Sequence, residues 1–371
     1  MRSLSLALWL SLTGLLAVST FFTETPVYGS WWFSALWILV ALFIIIVLLS
    51  RRITSTPVRL LHLGLLLIIV GALVTRATSS RGILFLEPGH PADRYLEADG
   101  RGRDLGAKVS LDSIKPLYPN NIKEISGYIC YLTVDNRLQI VSPNNPLTIG
   151  HIQLCQASVS TSGATVFSIN SDFWGRNLVY LGYLLTVTGF FCQIWRKRSY
   201  LPQLIGFLLI VIIFTLTSPH PPFNPLGIFG QSPESQPLLQ SHFLLVHVSL
   251  LSASYTLLVL ISILSVYTLF RPSPRVTALT TRLLPIAIFL LTTGIVAGSL
   301  WGARAWGRYW AWDPKETWAL VTLMVYAVPI HPSPTAVYDS RRLSLYLIFA
   351  FFTVLMTYYG VNYLPSLHAY R

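Results

Sequence analysis

The sequence predicts an all-α polytopic membrane protein of about nine transmembrane helices, with a small β-rich extracytoplasmic domain inserted between helices three and four. Three observations lead there. Of the 371 residues, 53% are hydrophobic and 11% charged, where an ordinary soluble domain carries about 25% charged residues. Apolar runs of the length a bilayer requires, about 20 residues each, recur along the chain. One stretch, residues 76–172, breaks that pattern with alternating and turn-rich sequence.

The apolar runs fall at about 4–22, 31–50, 58–75, 177–195, 200–217, 242–270, 282–300, 317–331 and 343–363. The first combines Arg2, an apolar core and small residues near Ala17–Ser19, as a secretory signal does; it is read here as a retained helix. The eighth is short and needs deep-lying flanks. Within 76–172, YICYLTV (128–134) and RLQIV (137–141) read as strands and SPNNP (142–146) as a turn. Such a domain has a thin core, which docking on the membrane part or on a partner would stabilise. Residues 173–217 hold helices four and five. Residues 218–241, rich in Pro and Gly, read as a second external loop, either a lid or surface-lying segment or a plain linker. Residues 242–371 hold the remaining helices.

The net charge of +12 could suggest a nucleic-acid partner, but its distribution does not. Residues 76–172 carry nine basic and nine acidic side chains. The excess sits in one set of short loops, from Arg2 through Arg51, Arg196, Arg271 and Arg341, opposed by Asp339 alone. This positive-inside pattern places the N-terminus in the cytoplasm and, after nine crossings, the C-terminus outside. Of three cysteines, Cys130 and Cys155 fall in the external segment, where a disulfide is chemically allowed, and Cys192 lies in a membrane run. There is no Cys-x-x-Cys-His, so the chain is not itself a c-type cytochrome.

Residues 301–318, WGARAWGRYWAWDPKETW, contain Trp301, Trp306, Trp310, Trp312 and Trp318, five of eleven tryptophans, with Arg304 and Arg308 among them. Indole faces and guanidinium groups held at a membrane surface suit a large, flat, anionic ligand such as haem. Tryptophan also anchors at bilayer interfaces with no ligand at all. The two arginines run against the charge rule; pairing with propionates explains them, and interfacial snorkelling is the alternative. Asp313, Pro314 and Glu316 spell a capping box that starts helix eight.

Four histidines occupy two depths. His62 and His331 lie near the cytoplasmic ends of helices three and eight. His247 enters helix six from its external end, and His368 follows helix nine outside. Imidazole is a standard axial ligand of haem iron, and two histidines from separate helices can approach the iron from opposite faces. A helix-end histidine bonding a carbonyl or water is the plainer reading of any one of them. His90, His151, His220 and His242 read as loop or interface residues, with His242 the nearest rival to His247.

WGRYWAWDPKETWALVTLMVYAVPIH (306–331), NYLPSLHAY (362–370) and HFLLVHVSLLSASY (242–255) resemble the haem-handling signatures of CcsA-type cytochrome c assembly proteins. HLGLLLIIVGAL (62–73) and NNPLTIGHIQLCQ (144–156) more weakly resemble their partner, CcsB or ResB. The chain thus resembles a compact fused CcsB/CcsA-type (ResB/ResC-like) system II cytochrome c synthase, with residues 1–75 CcsB-like, residues 242–371 CcsA-like, and an external domain shorter than usual. The resemblance implies a bacterial cytoplasmic-membrane protein that takes haem b as substrate and bound ligand. By position, His62 and His331 match the inner axial pair, and His247 and His368 the outer pair. Trp301, Trp306, Trp310, Trp312 and Asp313 fall in the haem platform. It further implies a holocytochrome c synthase joining haem vinyl groups to the thiols of Cys-x-x-Cys-His. Catalysis would centre on His247, His368, Trp310, Trp312 and Asp313. The implied partners are apocytochrome c, a thioredoxin-like thiol reductant and membrane lipid, with no nucleic acid. Two alternatives stand beside it: a haem transporter without ligase activity, and a bis-histidine b-haem electron carrier.

Overall fold

A computed structural model describes residues 2–22, 27–50, 53–118, 125, 127–160, 163–197, 202, 205–206, 209, 241–331 and 339–364. In chain order these form helices α1 (Arg2–Ser19), α2 (Trp31–Leu49) and α3 (Thr56–Thr78), then eight strands. The strands are β1 (Ser80–Leu86), β2 (Ala92–Glu97), β3 (Gly102–Leu117), β4 (Gly127–Val134), β5 (Arg137–Val141), β6 (Leu147–Ile149), β7 (Ile152–Val159) and β8 (Thr165–Ser171). Helices α4 (Trp174–Arg196), α5 (His242–Phe270), α6 (Pro274–Trp306), α7 (Pro314–Ala327) and α8 (Ser340–Tyr358) follow.

This architecture corrects the all-α, nine-span expectation. Six of the eight helices among the described residues, α2 to α6 and α8, are long and apolar enough to cross a membrane, which marks a multi-pass membrane protein. The predicted run at 317–331 becomes α7, which is bounded at both ends. A capping box on Asp313 starts it, and Pro329, which cannot continue the hydrogen-bonding ladder, lies in the 3-10 turn Val328–Ile330 that follows. Its 14 residues rise about 21 Å, less than a free-standing span needs, but with the 3-10 turn they run from the sheet-end loop to His331 beside His62. Helix α1, 18 residues long, lies along α7: the Trp9 indole N–H donates to the Met324 carbonyl at 2.9 Å and that of Trp318 to Thr20 Oγ1 at 3.0 Å. The predicted run at 200–217 lies almost wholly outside the described residues, and the loop 218–241 entirely so.

The β part is larger than expected. It is one eight-stranded antiparallel sheet, ordered β5-β4-β3-β2-β1-β8-β7-β6, with β3 alone sixteen residues long. Side chains alternate across a strand, and one face of the sheet supplies a single core. That core holds Leu84 and Leu86 from β1, Tyr95 from β2, Leu111 from β3, Leu132 from β4, Val141 from β5, Leu154 from β7 and Phe167 from β8. Strands from both flanks share it, so the sheet is curled around its own filling.

Sheet and helices join without a linker. Only Ser79 separates α3 from β1, and only Asp172 and Phe173 separate β8 from α4. Because β1 pairs with β8, α3 and α4 enter side by side. They then pack backbone to backbone. A Cβ on Gly64 would lie 2.7 Å from the Gly182 carbonyl oxygen, and one on Gly182 would lie 2.7 Å from that of Gly64. Small residues on facing helices permit this approach inside a membrane. A second core is built by α4 to α8, with Ile261, Ile286, Leu290, Tyr326 and Leu347 buried in it. A third joins α1, α2 and α3 to α7 through Leu12, Leu16, Phe33, Ile69, Val321 and Met324.

Candidate functional site

At the end of the helices remote from the sheet, His62 lies in the second turn of α3 and His331 follows the 3-10 turn after α7. Their ring centroids are 6.3 Å apart and their planes cross at 86°. His62 Nδ1 lies 2.8 Å from the Val58 carbonyl oxygen, and His331 Nδ1 lies 2.7 Å from that of Ala327. A carbonyl only accepts, so each neutral ring carries its proton on Nδ1 and keeps the lone pair on Nε2. Two imidazoles bonded to opposite sides of one metal at about 2.0 Å put their centroids about 6 Å apart. Each ring could hold a metal through Nε2, and each is oriented by a backbone carbonyl.

At the sheet end, His247 sits in the second turn of α5 and its Nδ1 donates to the Gly294 carbonyl oxygen, 2.7 Å away on α6. One turn along α6, Gly298 makes room for the imidazole: a Cβ there would lie 2.4 Å from His247 Cε1. The Arg304 guanidinium lies 4.1 Å over the ring of Phe243, one turn before His247 on α5. His368 lies outside the described residues.

In the tryptophan-rich stretch 301–318, Trp306, Trp310, Trp312 and Trp318 are half-buried. Trp301 is buried at the end of α6, and its indole N–H donates to Asn144 Oδ1 beyond β5, at 3.0 Å. Trp306 meets it edge to face at 4.8 Å. Gly307, with φ 74°, caps α6 in the left-handed region that glycine takes freely. Trp312 adopts the same region at φ 58°, which costs a non-glycine residue on the order of 1–3 kcal/mol. Aromatic neighbours hold it there. Tyr28, ahead of α2, stacks on it at 5.0 Å and 8°, while Phe33 and Trp310 meet it edge-on at 5.1 and 5.8 Å. The Trp310 indole nitrogen is buried with no hydrogen-bond acceptor. Trp318, in α7, donates to Thr20 Oγ1 at 3.0 Å.

Asp313 is buried and forms the capping box: its Oδ1 accepts from the Lys315 N–H at 3.0 Å, and Glu316 Oε2 accepts from the N–H groups of Asp313 and Ala311. Tyr309 ties the loop to the hairpin below the sheet. Its hydroxyl lies 2.8 Å from Thr75 Oγ1, which in turn donates to the buried carboxylate of Asp172 at 2.8 Å. A hydroxyl that donates to a carboxylate must accept from its other neighbour, so Tyr309 is the donor. Burial pushes the Tyr309 hydroxyl up to about 12. On the far side, Ser299 Oγ on α6 donates to the Tyr309 carbonyl at 2.5 Å.

The same loop docks on the sheet. Gln153 donates to the Ala303 carbonyl at 3.0 Å, Asn170 donates to that of Gly307, and the Cys155 thiol faces that of Arg304 at 3.9 Å. Cys130 points the other way, into the sheet core. The two thiols are free and occupy opposite faces of the sheet. Burial raises them, Cys130 to about 11 and Cys155 to about 12.

Sequence reasoning missed the partners that lock this region. Tyr28, Thr75, Asp172 and Asn170 carry no local signal. Gly294 and Gly298 do, since their four-residue spacing opens one helix face to a neighbour.

The geometry defines a multi-pass membrane protein whose aromatic loop is wedged between a helical core and a β-sheet. The family described as Cytochrome C assembly protein matches residues 173–368. A cytochrome c biogenesis protein CcsA from Mesostigma viride is 31% identical over 284 residues, covering 66% of this chain and 91% of the relative. One from Chlamydomonas reinhardtii is 35% identical over 148 residues, 36% of this chain and 42% of the relative. One from Synechococcus sp. (strain JA-2-3B'a(2-13)) is 47% identical over 90 residues, 24% and 26%. The chain belongs to the cytochrome c assembly protein family, and its role lies in cytochrome c biogenesis and haem handling.

Proposed function

We propose that the chain is a fused, compact synthase that carries haem b across the membrane and attaches it to apocytochrome c. The observation that supports this most is the His62–His331 pair, with 6.3 Å between ring centroids and both Nδ1 atoms held by carbonyls. His62 precedes the family-matched segment and His331 lies within it. In this reading residues 1–75 are the CcsB-like part and residues 242–371 the CcsA-like part, so the pair joins the two.

In this reading the basic loops face the cytoplasm and the sheet faces outward. Haem is received between His62 and His331 and presented at the sheet side on His247 and His368. Arg304, beside Phe243 and one turn above His247, pairs with a propionate. Arg308 turns toward the sheet. Trp301, Trp306, Trp310, Trp312 and Asp313 fix the loop that borders the macrocycle. Each substrate thiol of Cys-x-x-Cys-His adds across a vinyl group: sulfur bonds one vinyl carbon, the thiol hydrogen ends on the other, and nothing is oxidised or reduced. The chain contributes position and orientation, which in well-aligned cases are worth roughly 7–11 kcal/mol. A thioredoxin-like protein keeps the substrate thiols reduced.

Coexpression with a Cys-x-x-Cys-His reporter, in a strain lacking its own assembly system, tests the reading. Covalent haem on the denatured reporter is expected. Haem bound to the purified protein with none on the reporter would leave transport alone, and quinol-driven reduction of non-transferable haem would make it an electron carrier.

A further inference from the structure

The sheet has a second face that its core does not use. On β1, Leu84 and Leu86 point inward while Arg81, Ile83 and Phe85 point outward. Strand register sets their neighbours: Ile83 is opposite Leu96 of β2, Phe85 opposite Val166 of β8, and Arg81 opposite Asn170. Near the membrane this face is covered, because Gln153, Cys155 and Asn170 bond the end of α6 and the loop after it. Further out it is bare: Ile83 is 41% exposed, Phe85 55% and Leu96 44%.

Where the covered rows give way to the bare ones lies a cleft of about 240 Å³, lined by Arg81, Arg308, Trp306, Cys155, Asn170 and their neighbours. No acidic residue lines it. Among the described residues the ion pairs are Arg101–Asp99 and Arg103–Glu97, so neither lining arginine is paired with an acid. Asn170 is 7% exposed, and while its amide nitrogen donates to Gly307, its Oδ1 receives no hydrogen bond. A buried acceptor left so costs free energy.

We infer that this cleft, with the apolar row above it, is the docking surface for the unfolded substrate polypeptide, in an extended conformation beside its Cys-x-x-Cys-His segment. The inference rests on the synthase reading and supplies the place where that polypeptide lies. An extended chain offers what the surface lacks. Its carbonyls or an acidic side chain meet Arg81 and Arg308. Alternate side chains, all on one side, pack on Ile83, Phe85, Leu96 and Val166. A second copy of this chain fits poorly by strand pairing, since β1 is hydrogen-bonded on both sides. An anionic lipid headgroup would use the arginines but has no alternating side chains for the exposed row of Ile83, Phe85 and Leu96. The surface is continuous with the interface to the loop, so a polypeptide on it leads its thiols to Trp306.

The test uses the full-length protein in membranes. A photocrosslinking amino acid at position 85 should capture the reporter polypeptide. Phe85→Glu and Ile83→Glu, both on the exposed face, should each raise the apparent KM for apocytochrome roughly tenfold while the haem that copurifies stays at the wild-type level. Crosslinks to a second copy or to lipid, or an unchanged KM in both variants, overturn the docking surface. The wild-type control separates the two readings: a wild-type protein that attaches no haem to the reporter sinks the synthase assignment, whereas normal attachment with indifferent variants sinks only the surface.

Discussion

The His247 imidazole occupies the space that a side chain on Gly298 would need; a Cβ there would lie 2.4 Å from Cε1 and 2.5 Å from Nδ1. The ring is pinned between this glycine and the Gly294 carbonyl. Gly298→Ala should therefore push the imidazole away while leaving α5 and α6 packed. We expect less sheet-side haem, read as a reduced Soret band and a shifted midpoint potential, in a protein that still purifies intact. Unchanged occupancy and potential would exclude His247 as a ligand.

At the other end, His62→Gly and His331→Gly should each lower copurifying haem severalfold and abolish maturation of the reporter. Added imidazole should partly restore both, because the vacated space admits a free ring. Normal haem in both variants would mean that the rings meet for structural reasons only.

Tyr28 braces Trp312 in a backbone conformation that tryptophan disfavours. Removing the ring in Tyr28→Ala takes away the stack and part of the apolar contact, a loss of about 2 kcal/mol. The loop should become more open to limited proteolysis between 306 and 313, with a lower melting temperature. A loop as resistant as wild type would show that Phe33 and Trp310 suffice.

The two sheet thiols should be inert in the native protein. Thiolate is the reactive form, and burial raises Cys130 to about 11 and Cys155 to about 12. At pH 8 the thiolate fraction is then on the order of a thousandth or less. Iodoacetamide should label Cys130 and Cys155 only after unfolding, and non-reducing gels should show no disulfide. The buried thiols hold their protons to about 11 and 12, whereas an unfolded thiol ionises above about 8.5. Stability from these groups is thus complete below that pH and falls as pH rises. Fast labelling at pH 7 in the folded protein would contradict their burial.

Arg304→Gln should weaken sheet-side haem while sparing the fold, since the side chain is exposed and lies over the Phe243 ring. An unaltered midpoint potential would remove the propionate role.

Much of this was legible in the sequence where a pattern carries its own physics. Long apolar runs gave α2 to α6 and α8, and Asp313, Pro314 and Glu316 gave the start of α7. Its end was readable too, since Pro329 limits the helix, but a hydropathy run does not register a lost hydrogen bond. The sheet's extent was harder. The sixteen residues of β3 include Asp104, Lys108, Asp112 and Lys115, exposed on a strand whose other face is buried, so they lower the hydropathy without breaking the strand. In the tryptophan stretch composition identified a special loop, but not that Tyr28, Asn144 and Thr20 would take up three of its indoles. Those contacts depend on tertiary placement that local spacing does not encode.

The passage of α3 into β1, and of β8 into α4, with at most two residues between, makes one continuous member of four elements. Its helical part is about 35 Å long, and the paired strands add about 24 Å. His62 sits near one tip and Ile83 and Phe85 near the other. With junctions of one and two residues, there is no loop between these tips to absorb a displacement.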